Sequence, residues 1–500
     1  MDCPATSGRG WARRRRGPLE SDMPLEPTSV PLSSASIEPF RDLLEADQWE
    51  EFIRSMRETA GLLKNATVWN INSTAHGGGV AELLESQIPY QRELGIDVRW
   101  LVIQGGRAFF TFTKRLHTLL HGIAANGATI SADERAEYEQ TLGRNVEALT
   151  GQIRAGDVAI LHDPQTAGLI PHLVRRRCRV VWRSHIGVDQ PNDVTRGAWR
   201  FLMPFVRAAH ATVFSRHTYV WEGLDEATVN IIPPSIDAFT PKNQEMDAAT
   251  VAAILGATGI LAGGSPRGEP DFRLRDGSPR RVARPSQLFP EGKVPADARL
   301  VVQVSRWDRL KDPLGVMKGF AQFVAPKLDG HLILAGPGVS AVTDDPEEPA
   351  VLGEVQDHWQ RLEAPARERI HLARLPMEDL DENAAVVNAL QRRADVVVQK
   401  SLGEGFGLTV AEAMWKGRAV IASRVGGIQD QIENGLSGLL IDDPHDLAGF
   451  GAAVTGVLAD PARAQRLGNE AKQRVRRDFL APRELTQQAG LIRQLVQSAD

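Results

Sequence analysis

Two carboxylates, Glu404 and Glu412, stand eight residues apart in the stretch Lys400 to Gly427, KSLGEGFGLTVAEAMWKGRAVIASRVGG. Glu404 falls in a glycine-punctuated turn, and Glu412 falls one turn into the helix that the pattern predicts from Thr409 to Lys416. An isolated pair at this spacing reads as a turn residue and a solvated helix position, because carboxylates are mostly exposed. The surroundings argue for a ligand instead. An apolar run, Ala394 to Gln399, precedes the turn as a buried parallel strand, and a second run, Ala419 to Ser423, follows the helix. Strand, glycine turn, helix, strand is the unit that presents a helix N-terminus to an anion. In the turn Gly405-Phe406-Gly407, the glycines permit positive φ and close approach of backbone to a ligand. The first amides of the helix, on Leu408 and Thr409, suit a phosphate. Carboxylates suit hydroxyls, so a ligand carrying both chemistries, a nucleotide sugar, accounts for the whole stretch.

A second pair has the complementary charge. Arg306 and Lys311 lie five residues apart, just past the strand predicted for Arg299 to Val304. Arginine offers a planar fork of donors and lysine a mobile point charge, and together they suit a pyrophosphate. Alone they read as two solvated surface cations; in the same half of the chain as the Glu404 turn they read as part of one site.

The elements that must position these residues alternate throughout. A short strand, Thr67 to Asn72, leads into Ser73-Thr-Ala-His-Gly-Gly-Gly-Val80 and a helix from Ala81 to Leu94, so the chain has an earlier strand, glycine turn, helix unit at Gly77, Gly78 and Gly79. Strands at Val158–Leu161, Val180–Arg183, Ala211–Phe214 and Val229–Ile232 end in polar residues: His162-Asp163-Pro-Gln165, Ser184-His185, Ser215 and Pro233-Pro-Ser. Open α/β sheets bind ligands at that end of their strands. Pro233-Pro234 reads as an interdomain linker. Residues 256–293 are rich in Gly, Pro and Arg and read as an exposed insertion. The expected organisation is a disordered tail over 1–35, a Rossmann-like domain over 36–236, a second over 237–480 carrying the 256–293 insertion, and a helix over 481–500 packing back on the first domain.

Length and composition agree with this division. Five hundred residues exceed a single core, so two domains are expected. A net charge of −5 argues against nucleic acid as a partner. Cys3 and Cys178 alone supply neither a disulfide frame nor a cysteine zinc site, which fits a reducing cytoplasm. No apolar run approaches the roughly 20 residues of a membrane span, and the Arg13–Arg16 cluster is followed by no apolar signal segment.

Arg306 and Lys311 with the Glu404/Glu412 pair in a GFGLTVAEAM context resemble the retaining GT-B glycosyltransferases of family 4. NINSTAHGGGVAELL (70–84), FTKRLHTLLHG (112–122), HDPQ (162–165), RSHIG (183–187), VSRWDRLKDP (304–313) and DDPE (344–347) narrow the resemblance to the glycosyltransferring trehalose synthases, over about residues 60–495. The resemblance implies an α/β, GT-B fold, two Rossmann-like domains with the donor in the cleft between them. It implies transfer of glucose from ADP-, UDP- or GDP-glucose to glucose, reversibly, giving α,α-trehalose without a metal or other cofactor. Arg306 and Lys311 would neutralise the diphosphate leaving group. Glu404 would hold glucose hydroxyls, Glu412 the ribose, and Gly77, Gly78 and Gly79 would admit the donor. His185 would sit beside the donor sugar, and Asp163 and Gln165 would touch the acceptor. One departure bears on the acceptor: Gly187 stands where an acidic residue is expected after His-Ile, with Asp189 two positions on as a shifted alternative. Trehalose phosphorylase, a transferase with another acceptor and a non-catalytic sugar-nucleotide binder are the competing readings. Expected partners are nucleotide and small sugars, a homodimer is compatible with the chain, and neither nucleic acid nor membrane is expected.

Overall fold

Uninterrupted Val, Ile and Leu runs flanked by helical segments make strands buried on both faces, and such strands assemble in parallel with helices covering each side. The computed structural model describes residues 24–498 apart from 77, 125–126, 264–267 and 339–346. Its first sheet takes strands β1 (Thr28–Ser29), β2 (Val68–Asn72), β3 (Val98–Val102), β4 (Val158–His162), β5 (Arg179–Ser184), β6 (Ala211–Phe214) and β7 (Val229–Ile231). Their order is β1-β3-β2-β4-β5-β6-β7, parallel except for β1 at the edge. After a hairpin of β8 (Asp271–Arg273) and β9 (Pro279–Arg281) comes the second sheet. It contains β10 (Gln287–Phe289), β11 (Leu300–Val304), β12 (His331–Pro337), β13 (Ile370–Leu375), β14 (Val396–Gln399), β15 (Ala419–Ser423) and β16 (Leu439–Ile441). The order is β10-β13-β12-β11-β14-β15-β16, again parallel except at the β10 edge.

Both orders reverse direction once, between β2 and β4 and between β11 and β14. At such a point neighbouring strands send their connections to opposite faces, which opens a crevice at the strand C-termini. The residues following β2 and β4 are the 73–79 turn and Asp163, and those following β11 and β14 are Arg306 to Lys311 and the Glu404 turn. The candidate residues thus gather at the two switch points.

Two expectations are corrected. The tail expected to lack structure through residue 35 is in place where it is described. Thr28–Ser29 pairs with β3, and Val30, Leu32 and Ala35 pack on the first domain's core, so apolar residues among the prolines anchor the segment. Residues 1–23 lie outside the described residues. The 256–293 segment is likewise more than an exposed insertion. Ile260, Phe272 and Val282 are buried, β10 closes the edge of the second sheet, and Arg275 pairs with the buried Asp237. The segment is mostly exposed or half-buried but is anchored by these few buried side chains and by the β8–β9 hairpin.

The final helix, Ala481–Gln497, returns to the first domain, where Leu485, Ala489 and Ile492 join Phe52 and Met56 in one core. Its Glu484, fully buried, lies 2.5 Å from Arg183 at the end of β5 and accepts from Ser235 Oγ at 2.6 Å. Removing one partner of a buried, hydrogen-bonded ion pair strands the other charge at a cost of about 3–5 kcal/mol. Glu484→Ala should lower the stability read from urea unfolding by about that amount. The Arg183→Met, Glu484→Leu double variant should lose markedly less, because no charge is left buried; equal losses would show that the pair contributes only packing.

Candidate functional site

The two glycine turns face each other across the cleft. Gly78, at φ 112°, precedes the helix Gly79–Glu93, and Gly407, at φ 85°, precedes the helix Leu408–Trp415. These are backbone conformations that side chains disfavour. A Cβ on Gly79 would lie 3.4 Å from Leu408 Cδ1, and one on Gly405 would lie 2.9 Å from the His185 carbonyl oxygen. Gly77 lies outside the described residues, as do Asp344, Asp345 and Pro346 of the DDPE stretch. Phe406 turns its ring into the core against Phe479, with centroids 5.9 Å apart, so only its backbone is available to a ligand in the turn. Thr409 Oγ1 donates to Gln399 Oε1 at 3.3 Å, tying the first turn of the helix to the end of β14.

Lys311 and Glu404 meet. Lys311 Nζ donates to the two Glu404 oxygens at 2.7 and 2.6 Å, and Ser401 Oγ adds a bond of 3.3 Å. The loop that carries Lys311 is pinned from behind: Asp312, in the left-handed region at φ 49°, caps the next helix and pairs with the fully buried Lys400. Arg306, on the same loop, is half exposed and lies 3.1 Å from Asp308 Oδ2. A cation pair and a carboxylate therefore converge at the switch point of the second sheet.

Glu412 is not a solvated helix position. Only 1% exposed, it places Oε1 2.9 Å from Lys242 Nζ, and Lys242 in turn reaches Glu82 of the helix Gly79–Glu93 at 2.8 Å. The ammonium bridges a carboxylate of each domain. Glu412 Oε2 is buried and accepts no hydrogen bond from any described residue.

On the first domain, Asp163 follows β4 with φ 62°, a strained conformation for a residue with a side chain. Its carboxylate accepts the His185 backbone N–H at 2.7 Å, and its carbonyl accepts from Trp182 Nε1 at 3.1 Å. Burial pushes the Asp163 carboxyl up to about 7, against the opposing pull of the His185 N–H and Arg183. Gln165 Oε1 is buried with no partner among the described residues, as suits an atom kept for a ligand. His185 Nε2 lies 3.0 Å from His162 Nδ1.

Asp189, the shifted carboxylate that the sequence offers for the acceptor, is engaged between the two domains. Its carboxylate lies 2.5 Å from Arg216 and accepts from the Gly426 amide at 2.8 Å and from Gln429 Nε2 at 3.1 Å. It clamps the loop after β5 to the loop after β15. Gly187 has a steric reason: a Cβ there would overlap the Tyr219 ring. The Tyr219 hydroxyl lies 2.9 Å from both the Glu404 and the Gly405 carbonyl oxygens, donating across the domain boundary.

Sequence reasoning missed Tyr219 and Arg216, which belong to no motif, and two histidines. His117 and His121 lie at the C-terminal end of the helix Arg107–Leu120, ring centroids 4.8 Å apart. Burial pushes His117 down to about 3, with His121, Arg306 and Lys114 adding to the effect. Burial also lowers His121, with Glu404 opposing and Lys311 reinforcing. Both therefore face the Arg306, Lys311 and Glu404 group. Their i, i+4 spacing, which sets two side chains on one helix face, was the available signal.

The family model described as "Trehalose synthase, N-terminal domain" matches residues 70–221, and that described as "Glycosyl transferases group 1" matches residues 286–474. The trehalose synthase of Rubrobacter xylanophilus is 34% identical over 456 residues, covering 89% of this chain and 94% of that protein. The chain belongs to the trehalose synthase family. Among solved structures, the α,α-trehalose-phosphate synthase (UDP-forming) of Burkholderia vietnamiensis superposes with a TM-score of 0.62 at 14% identity, covering 87% of this chain and 98% of that one. That likeness concerns the fold, which is GT-B. More distant is the trehalose phosphorylase of Pleurotus sajor-caju, 28% identical over 437 residues; the match covers 81% of this chain and about half, 54%, of that protein. The family membership makes the protein a glycosyltransferase of trehalose metabolism.

Two measurements test this geometry. Gly187→Ala should destabilise the protein by about 1–3 kcal/mol, the range for overpacking, as Tyr219 is forced off its carbonyls. The Gly187→Ala, Tyr219→Ala double variant should lose less in thermal unfolding than the two single losses added together; strict additivity would place the strain elsewhere. For Asp163, a folded-state pKa above the unfolded value means that its contribution to stability is full below about pH 4 and is lost as pH rises through about 7. Asp163→Asn cannot ionise, so its stability relative to wild type should improve between pH 4 and pH 8 in urea midpoints taken across that range. A pH-independent difference would show that the carboxyl ionises normally.

Proposed function

We propose that the protein transfers glucose from a nucleoside-diphosphate glucose to free glucose, reversibly, to form α,α-trehalose with retention at the donor's anomeric carbon. The observation that carries this reading is the convergence of Lys311, Arg306 and Glu404 at one switch point, opposite the glycine turn and His185 of the other domain. Bond breaking leaves negative charge on the diphosphate, where Lys311 and Arg306 stabilise it without a metal. Glu404 holds hydroxyls of the transferred glucose. Asp163 and Gln165, at the switch point of the first sheet, hold the acceptor. The acceptor oxygen attacks on the face the diphosphate leaves: the anomeric carbon–phosphate oxygen bond breaks, the new glycosidic bond forms, and the acceptor's proton passes to the departing phosphate.

A nucleotide leaving group is favoured over inorganic phosphate by Glu412. A buried acceptor without a donor costs about 1–3 kcal/mol, and a ribose hydroxyl supplies the donor that Oε2 lacks. A phosphate ion offers mostly acceptors.

The purified protein should form trehalose from at least one of ADP-, UDP- and GDP-glucose with glucose, and should cleave trehalose with the matching nucleoside diphosphate, both read by product analysis. Cleavage by phosphate alone would replace this reading with a phosphorylase. Lys311→Ala and Arg306→Ala should each lower kcat by on the order of 100-fold at temperatures where both variants remain folded. Near-normal turnover in both would refute their role at the leaving group.

A further inference from the structure

A chain of hydrogen bonds runs from the core of the first domain to the cleft. The buried Asn70 of β2 places Oδ1 3.1 Å from His162 Nε2, and His162 Nδ1 lies 3.0 Å from His185 Nε2. The rings of the two histidines stack at 19° with centroids 5.3 Å apart, so neither turns without breaking the chain. Each link has a direction. An amide oxygen only accepts, so His162 carries its proton on Nε2. A neutral imidazole has one N–H, which makes His162 Nδ1 an acceptor and obliges His185 to donate from Nε2. Burial keeps both rings neutral: with Arg183 nearby, it pushes His162 down to about 3 and holds His185 well below the ordinary histidine range. His185 is itself only partly buried, and no described residue is hydrogen bonded to its Nδ1.

We propose that Asn70 is a positioning residue that, through His162, fixes His185 as a hydrogen-bond acceptor at Nδ1 and so sets the site to receive a sugar hydroxyl and not a phosphate oxygen. Every sugar hydroxyl can donate to a lone pair, whereas the ionised oxygens that make up most of a phosphate have no proton to give and would meet Nδ1 lone pair to lone pair. The asymmetry explains why a second histidine and an asparagine are spent behind His185, where an apolar backing would pack as well but leave the tautomer free. The specificity half of this inference rests on the glucosyl-transfer reading above; the tautomer half does not.

The test is ¹⁵N NMR of histidine-labelled full-length protein at pH 7, with the His185 signals assigned by their loss in His185→Gln. His185 should be neutral and protonated on Nε2, with a bare Nδ1. A proton on Nδ1, or a cationic ring, would overturn the proposal. Asn70→Leu removes the only fixed acceptor, so His185 should become a mixture of tautomers, and kcat/KM for glucosyl transfer should fall about 10-fold or more, because binding then selects the minor form. If Asn70→Leu unfolds, the wild-type spectrum still decides the tautomer. An unchanged His185 tautomer in folded Asn70→Leu would refute the relay whatever the activity. A changed tautomer with undiminished transfer would refute the role in recognising a hydroxyl. If the wild type shows the expected tautomer but transfers glucose from no nucleotide, the relay stands, and the functional reading and the specificity half fail with it.

Discussion

The structure turns on a place where backbone meets backbone with no side chain between. Gly405 lies against the carbonyl of His185, Gly426 against the carbonyl of Glu404, and the Tyr219 hydroxyl donates into the carbonyls of Glu404 and Gly405. A Cβ at Gly405 would press on the other domain's backbone, and one at Gly426 would strike both the Glu404 carbonyl and the Tyr219 hydroxyl. The orientation of Glu404, and through it Lys311, thus depends on a tyrosine from the other domain. A site assembled this way has its full geometry only when the domains are together, which couples closure to competence. The clamp of Asp189 and Arg216 on Gly426, Gln429 and Asp430 supplies charge-assisted bonds around the same contact.

Burial sets what each carboxylate can do. Glu404 is paired with Lys311 at the edge of the cleft, and Glu412, eight residues on and on the inner face of the helix, is held through Oε1 by Lys242. Two glutamates of one motif therefore meet different environments. The first is shared between a lysine and whatever enters the cleft. The second belongs to a bridge, Glu82–Lys242–Glu412, that runs between the domains beside the donor turn. Lys416, buried one turn beyond Glu412 and bonded to Asn243 Oδ1 at 2.9 Å, has its ammonium pushed down to about 7 by that burial, with Glu412 opposing, so the network is close to the limit of charge that this interior holds.

Much of the fold was legible because parallel strands announce themselves as apolar runs, and glycine turns after them mark the switch points. That logic found Glu404, Lys311, Gly78, Gly407 and the polar end of β4. It failed where apolar residues are sparse: Thr28–Ser29 holds the sheet edge by two residues, and the Pro- and Arg-rich hairpin near Asp271 is held by a few buried side chains and by Arg275 on Asp237. Partners brought from distant sequence left no local trace. Tyr219 occupies the space that Gly187 vacates, but the vacancy is visible in the sequence only as a missing side chain. Asp189 carried the right chemistry for an acceptor contact, and only the approach of residues 426–430 shows that its oxygens are already taken.

The cleft also separates its charges. Lys311 and Arg306 stand on the second domain, where a diphosphate would bear its charge, while the four histidines nearby, His117, His121, His162 and His185, are all held neutral by burial. Four imidazolium ions there would add a diffuse positive field and bind a phosphate anywhere along the cleft. Neutral rings instead present single donors or acceptors, as His185 does with Nδ1, and these suit hydroxyls. Asp163, its carboxyl pushed up to about 7, is likewise poised between a hydroxyl-like donor and an acceptor. Desolvation thereby leaves the cations Lys311 and Arg306 on one domain facing neutral imidazole rings on the other.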